Sequence, residues 1–301
     1  MGSKIRRLGI VIALSLVLML GIVVLTASYS ESGVTCEVGA EGSIASLADF
    51  SAVPQSVVDD ATELATELFG DGQEKCDDFV NQLLSIYLEA GDKDFVIFFN
   101  PGGWGWNLVE ASPGWRSIFT GIKSELDSSG YTALMLNHVR AVDSFLGRLD
   151  EAGEMITGYQ LKAKDLACRA EFLTTHIPDL KVILAGESTG TIITDSAMKI
   201  LADNPRVYSI QTGPPFWHQN TMLDRTLVLA DNGITPDSLS QGDYPGITWG
   251  YFKDWFNLSE SEDYFGTAPH YIAAPGHDYW WQYPEVYSQI TNFLKQNFAI
   301  K

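Results

Sequence analysis

The chain has 301 residues, 46% of them hydrophobic and 19% charged, a composition that suits one large globular core or two modest ones. Its formal net charge is −19. Binding to phosphate backbones needs clustered Lys and Arg that this sequence lacks, so nucleic acid is excluded as an expected partner. No His-x-x-x-His or paired-Cys spacing occurs, so no metal or other cofactor is expected.

Residues 1–30 form a separate physical object. Lys4, Arg6 and Arg7 precede an uncharged apolar run from Leu8 to Thr26, which is 19 residues long. At about 1.5 Å per residue this run nearly spans a hydrocarbon core of about 30 Å. It reads as an uncleaved membrane anchor in preference to a cleaved signal, whose apolar region is usually about 7–15 residues. In either case the positive flank stays cytoplasmic and the rest of the chain faces outward. The expected membrane contact is therefore through this segment.

Residues 31–93 are expected to be a linker followed by a helical extension. The stretch 31–50 is rich in Ser, Gly and Glu, which suits a linker. Apolar residues at steps of three and four then predict two helices. One runs from Val57 to Phe69 and stops at Gly70; the other runs from Cys76 to Ala90 and stops at Gly91. In an oxidising compartment Cys36 and Cys76 are the favoured disulfide pair, with three free thiols as the alternative. Asn257-Leu258-Ser259 fits a glycosylation sequon.

From residue 94 the pattern becomes short apolar runs separated by helical stretches, the signature of a parallel sheet covered by helices. The runs are Phe95 to Phe99, Thr132 to Leu136, Val182 to Ala185, Val207 to Gln211, Thr226 to Ala230 and Tyr271 to Ala274. The expected class is thus α/β, a mainly parallel sheet of about six strands, with residues 94–301 as the catalytic domain. One long helix is expected through Ile156, Tyr159, Ala163, Leu166, Ala170 and Leu173, and a final one through Val286, Ile290, Phe293 and Leu294. No strand is expected before residue 94.

Gly186-Glu187-Ser188-Thr189-Gly190 falls between the run ending at Ala185 and a helical stretch from Thr191 to Ala202. A serine on such a strand-to-helix turn is exposed to an incoming carbonyl, but it needs a base to take its proton. His277 follows the last apolar run and precedes the last helix, so a parallel sheet delivers it to the same carboxyl edge. His138, His176 and His270 read as structural histidines. An acid between Thr226 to Ala230 and His277 should orient the imidazole. Asp237, on a loop able to swing toward His277, is favoured over Asp231 at the strand end. Oxyanion donors are expected from the Thr189 N–H and from Gly102 and Gly103 in Asn100-Pro101-Gly102-Gly103-Trp104-Gly105-Trp106.

On these three pieces, in this order, residues 94–298 resemble the α/β-hydrolase superfamily. The resemblance implies an eight-stranded sheet, of which this chain keeps about six strands, with the catalytic loops at its carboxyl edge. The chain departs from lipase-type members in having Asn-Pro-Gly-Gly where His-Gly-Gly-Gly stands, and its acid is not in a Gly-x-x-Asp setting. Trp104 and Trp106 are expected to bind substrate. They belong with Phe216, Trp217, Trp280 and Trp281 to an aromatic set that reads equally as pocket rim or core.

The expected activity is hydrolysis of a carboxylic ester, with thioester or amide within the same chemistry, on a small-molecule or acyl substrate. Gly-Glu-Ser also resembles the serine carboxypeptidases. A peptidase, an acyltransferase and an inactive hydrolase-like binding protein are the alternatives.

Overall fold

The computed structural model describes residues 35–38, 49–141, 144–221, 223–246 and 274–300. Six strands form one sheet: β1 (Thr35–Val38), β2 (Phe95–Asn100), β3 (Ala133–Val139), β4 (Lys181–Glu187), β5 (Val207–Thr212) and β6 (Thr226–Leu229). Their spatial order is β1-β3-β2-β4-β5-β6. The last five strands in that order are parallel, and β1 pairs antiparallel with β3. The fold is therefore α/β, with a five-stranded parallel sheet flanked by helices.

Among the described residues three α-helices precede β3, namely α1 (Gln55–Phe69), α2 (Gln73–Ala90) and α3 (Pro113–Ser128); α4 (Phe145–Thr157), α5 (Gln160–His176) and α6 (Gly190–Ile200) follow it. A four-residue turn of helix, α7 (Ser238–Gln241), and the closing α8 (Pro284–Phe298) come last. Side chains alternate across a strand, and β2 divides its own between two cores. Val96 and Phe98 join a core with residues of α1, α2, α5 and α6. Phe95, Ile97 and Phe99 join the other, with α3 and α8. All six residues of β2 are buried, as a strand covered on both faces must be. The helical segment expected as an extension thus shares a core with the sheet.

Four expectations are corrected. The stretch 31–50 contains β1, whose Cys36 pairs with His138; four residues reading Thr-Cys-Glu-Val are too short and too polar to announce a strand. The single helix expected through Ile156 and Leu173 is two. Gly158 and Tyr159 both adopt left-handed backbone, at φ 78° and 56°, and end α4. Glycine takes that conformation without strain. Tyr159 is held in it by burial, with Arg140 and Lys162 over its ring at 5.5 and 5.8 Å. Strand β3 runs on to Val139 because its polar end is satisfied internally: Asn137 accepts from the Val109 N–H at 2.8 Å.

The Cys36–Cys76 disulfide is absent, and all three cysteines are free thiols. Cys36 donates its N–H to Gln82 Oε1 at 3.0 Å, and Gln82 is six residues along α2 from Cys76, a rise of about 9 Å. The Cys76 thiol instead donates to Ala65 O at 3.5 Å. Burial pushes the Cys36 thiol up to about 12.

The expected anchor, the sequon and His270 lie outside the described residues, as does the run from Tyr271 to Ala274 except for Ala274 itself. Among the described residues, no helix is long and apolar enough to cross a membrane.

Candidate active site

The sheet order places the site. Successive crossovers put β3 on one side of β2 and β4, β5 and β6 on the other. Where such a sheet reverses its direction of growth, the loops leaving neighbouring strands part and open a crevice at the carboxyl edge. Here the loops that leave in opposite directions are Asn100–Trp106 after β2 and Glu187–Thr189 after β4, with Asn100 level with Gly186 in the register.

Ser188 lies at that edge, buried, on a strained turn. Its φ is 50°, a left-handed conformation that costs a non-glycine residue about 1–2 kcal/mol. The turn is closed by Ser188 N–H donating to Thr212 O and Thr191 N–H donating to Ser188 O, both at 2.9 Å. Gly190 is needed for close approach, since a Cβ there would lie 2.1 Å from Asn100 O. The Thr189 N–H then sits at the N-terminus of α6, where amides lack intrahelical acceptors and attract negative charge.

His277 and Asp237 come to the serine from the far end of the chain. His277 Nε2 lies 3.0 Å from Ser188 Oγ. Its Nδ1 lies 2.9 and 3.1 Å from the two carboxylate oxygens of Asp237. Asp237 is fully buried, and it also caps α7 by accepting from Leu239 and Ser240 N–H at 2.9 and 3.1 Å. Tyr279 and Ser240 hydroxyls donate to Oδ2 at 2.8 and 2.9 Å. Burial alone would raise the Asp237 carboxyl, but the hydrogen bond and charge of His277, with the Tyr279 and Ser240 donors, outweigh it and hold it below the usual carboxylate range. Asp231 is spent elsewhere, accepting from the Gly233 N–H at 2.6 Å.

The glycine turn lies against the serine: a Cβ on Gly102 would be 2.9 Å from Ser188 Cβ. The Gly102 N–H donates to Glu187 Oε2 at 3.2 Å, and the Ser112 hydroxyl donates to the same oxygen at 3.4 Å. Gly103 O accepts from the Thr189 hydroxyl at 2.9 Å, which ties this loop to the β4 turn. Trp104 is exposed and stacks on Trp106 with planes 4° apart, and Trp106 also carries Arg148 at 5.2 Å. Phe216 and Trp217 are exposed, whereas Trp280 is buried and Trp281 packs against the same core. The aromatic set thus divides between surface and core.

Glu187 gives a pH-dependent expectation. Burial raises its carboxyl above the ordinary value, and the Gly102 N–H, His277 and Ser112 offset this only in part. An acid with a higher pKa folded than unfolded weakens the fold as pH rises above its unfolded value, and the loss levels off above the folded one. Glu187→Gln removes the charge and keeps an oxygen for Gly102. The substitution should therefore raise Tm more at about pH 8 than at about pH 4. Equal shifts at the two pH values would mean that the carboxylate carries no such penalty.

Sequence reasoning missed the groups behind the glycine turn. Arg140, just past β3, is fully buried and reaches into that turn, and Glu151 and Lys162 are buried beside it. Asn100 Oδ1 meets His138 Nδ1 at 2.7 Å; His138 Nε2 meets Asp165 at 3.2 Å, and Arg169 donates to Asp165 at 2.7 Å. The available signal was the position of Arg140 at the carboxyl end of an apolar strand, where a parallel sheet puts its working residues.

No family model and no curated protein matches the chain. Among solved structures it is similar to Trichoderma reesei cutinase in complex with a C11Y4 phosphonate inhibitor. The similarity covers 64% of this chain and 82% of that one, at 15% identity and a TM-score of 0.34. A likeness that distant carries no functional weight.

Proposed function

We propose that this protein is a serine hydrolase that cleaves a carboxylic ester through an acyl-enzyme on Ser188. The observation that carries the reading is His277, hydrogen-bonded at once to Ser188 Oγ at 3.0 Å and to buried Asp237 at 2.9 Å. An ionised Asp237 fixes the imidazole with its proton on Nδ1, which leaves Nε2 free to accept the serine proton.

In this reading Ser188 Oγ attacks the acyl carbonyl as its proton passes to His277 Nε2. The carbonyl oxygen becomes an oxyanion, for which we assign as donors the Thr189 N–H and the Gly102–Gly103 turn, the Gly102 N–H passing to it from Glu187 Oε2. Collapse breaks the bond to the leaving alcohol, which takes the proton from His277. Water, activated by the same nitrogen, then attacks the acyl-serine and releases the acid. Thioester or amide cleavage would follow the same steps. Exposed Trp104, Phe216 and Trp217 support an apolar or aromatic group on the substrate. The run from Leu8 to Thr26 supports a membrane-anchored enzyme acting outside the cytoplasm.

A fluorophosphonate probe tests the chemistry without knowledge of the substrate. The folded chain should be labelled stoichiometrically, with the adduct on Ser188. Absence of labelling in folded protein would overturn the reading and favour an inactive binding domain.

A further inference from the structure

Among the described residues, Arg140 makes contacts that the proposed steps do not use. Its Nη1 donates to Pro101 O. Its Nη2 donates to Gly103 O at 3.3 Å and to Thr189 Oγ1 at 3.0 Å. Its Nε donates to Glu151 at 2.7 Å, and Lys162 donates to the other Glu151 oxygen at 2.8 Å. One guanidinium thus joins the glycine turn after β2 to the residue that follows the serine.

A trans peptide points its C=O and its N–H in opposite directions. With Pro101 O turned onto Arg140, the Gly102 N–H faces away from it, beside Ser188, and donates to Glu187 Oε2 at 3.2 Å, the partner that an oxyanion would displace. Donors for an oxyanion are effective only when their direction is fixed before the charge develops. Burying a guanidinium is expensive unless it is paired and its hydrogen bonds are made, and an apolar side chain would fill the same space without that cost. The chain also makes room for it: Gly105 has φ 83°, and a Cβ there would lie 2.5 Å from Arg140 Cγ.

We infer that Arg140 is a positioning residue for the proposed hydrolysis, orienting the oxyanion donors of the Gly102–Gly103 turn and of Thr189 by binding Pro101 O, Gly103 O and Thr189 Oγ1. The inference rests on the serine-hydrolase reading. Lysine keeps the charge facing Glu151 but is a point donor that cannot replace the fork.

The test compares wild type with Arg140→Lys and Arg140→Met, using p-nitrophenyl acetate for kcat and KM, a boronic acid as reversible tetrahedral mimic, and circular dichroism for folding. Both folded variants should lose about 100-fold in kcat with little change in KM, and boronate affinity should fall in parallel. Folded variants with wild-type kcat overturn the inference alone. A wild-type chain inert to both ester and fluorophosphonate overturns the hydrolase reading and this inference with it. Should both Arg140 variants fail to fold, Thr189→Val, which removes one of the three contacts, decides. A loss of about 10-fold in kcat, restored by Thr189→Ser, supports the inference. Wild-type kcat in Thr189→Val overturns it.

Discussion

Ser188→Ala should lower kcat by about 10⁶-fold while leaving a folded chain. The side-chain oxygen contributes one hydrogen bond, to His277 Nε2 at 3.0 Å. The contacts that build the turn belong to the backbone, through Thr212 O and the Thr191 N–H. Alanine keeps both and occupies the same space. What disappears is the atom that would carry the acyl group, so the decline should fall on kcat. Steady-state ester hydrolysis alongside a thermal melt checks this. A variant that retained more than about 1% of wild-type kcat would place the nucleophile elsewhere, since loss of a covalent nucleophile is not a partial effect.

Asp237→Asn should cost about 10⁴-fold in kcat. The carboxylate serves two sets of donors at once. Oδ1 accepts from Leu239 and Ser240 N–H, while Oδ2 accepts from the Tyr279 and Ser240 hydroxyls, and both oxygens face His277 Nδ1. An amide has one oxygen. If that oxygen stays on the helix cap, the NH2 group faces His277 Nδ1 and forces it to act as acceptor. The imidazole proton then moves to Nε2, and the nitrogen beside Ser188 can no longer take a proton. The fold should survive because the cap survives. Nitrogen NMR of the imidazole should report the changed tautomer together with the fall in kcat, and a variant within tenfold of wild type would remove Asp237 from the mechanism.

Much of the site is written in residues whose roles follow from order along the chain. Ser188 lies between an apolar run and a helix, and His277 lies between the last run and the last helix. In a parallel sheet every strand-to-helix turn opens at the same edge, which is why the two were expected together, although the run before His277 lies outside the described residues except for Ala274. Asp237 could be ranked above Asp231 because a loop carboxylate has more reach than one at a strand end. Arg140 was not legible in that way. A lone arginine after an apolar run is ordinarily a surface cation, and only the packing of Glu151 and Lys162, from the next two helices, puts it inside. Strand β1 was hidden for a related reason: four residues with one described buried side chain, Cys36, are held by pairing with β3. The break at Gly158 was visible as a glycine, but the apolar period runs through it, and Tyr159 is left-handed because of what its ring packs against.

The left-handed backbone at Ser188 has a consequence for how this chain can change over generations. At φ 50°, glycine is the residue that folding alone would choose, since it avoids strain of about 1–2 kcal/mol. Under the serine-hydrolase reading proposed above, a serine persists there for its reactivity. A lineage released from that selection is free to drift toward glycine at this position, becoming inert and no less stable, so activity is the property it would lose first.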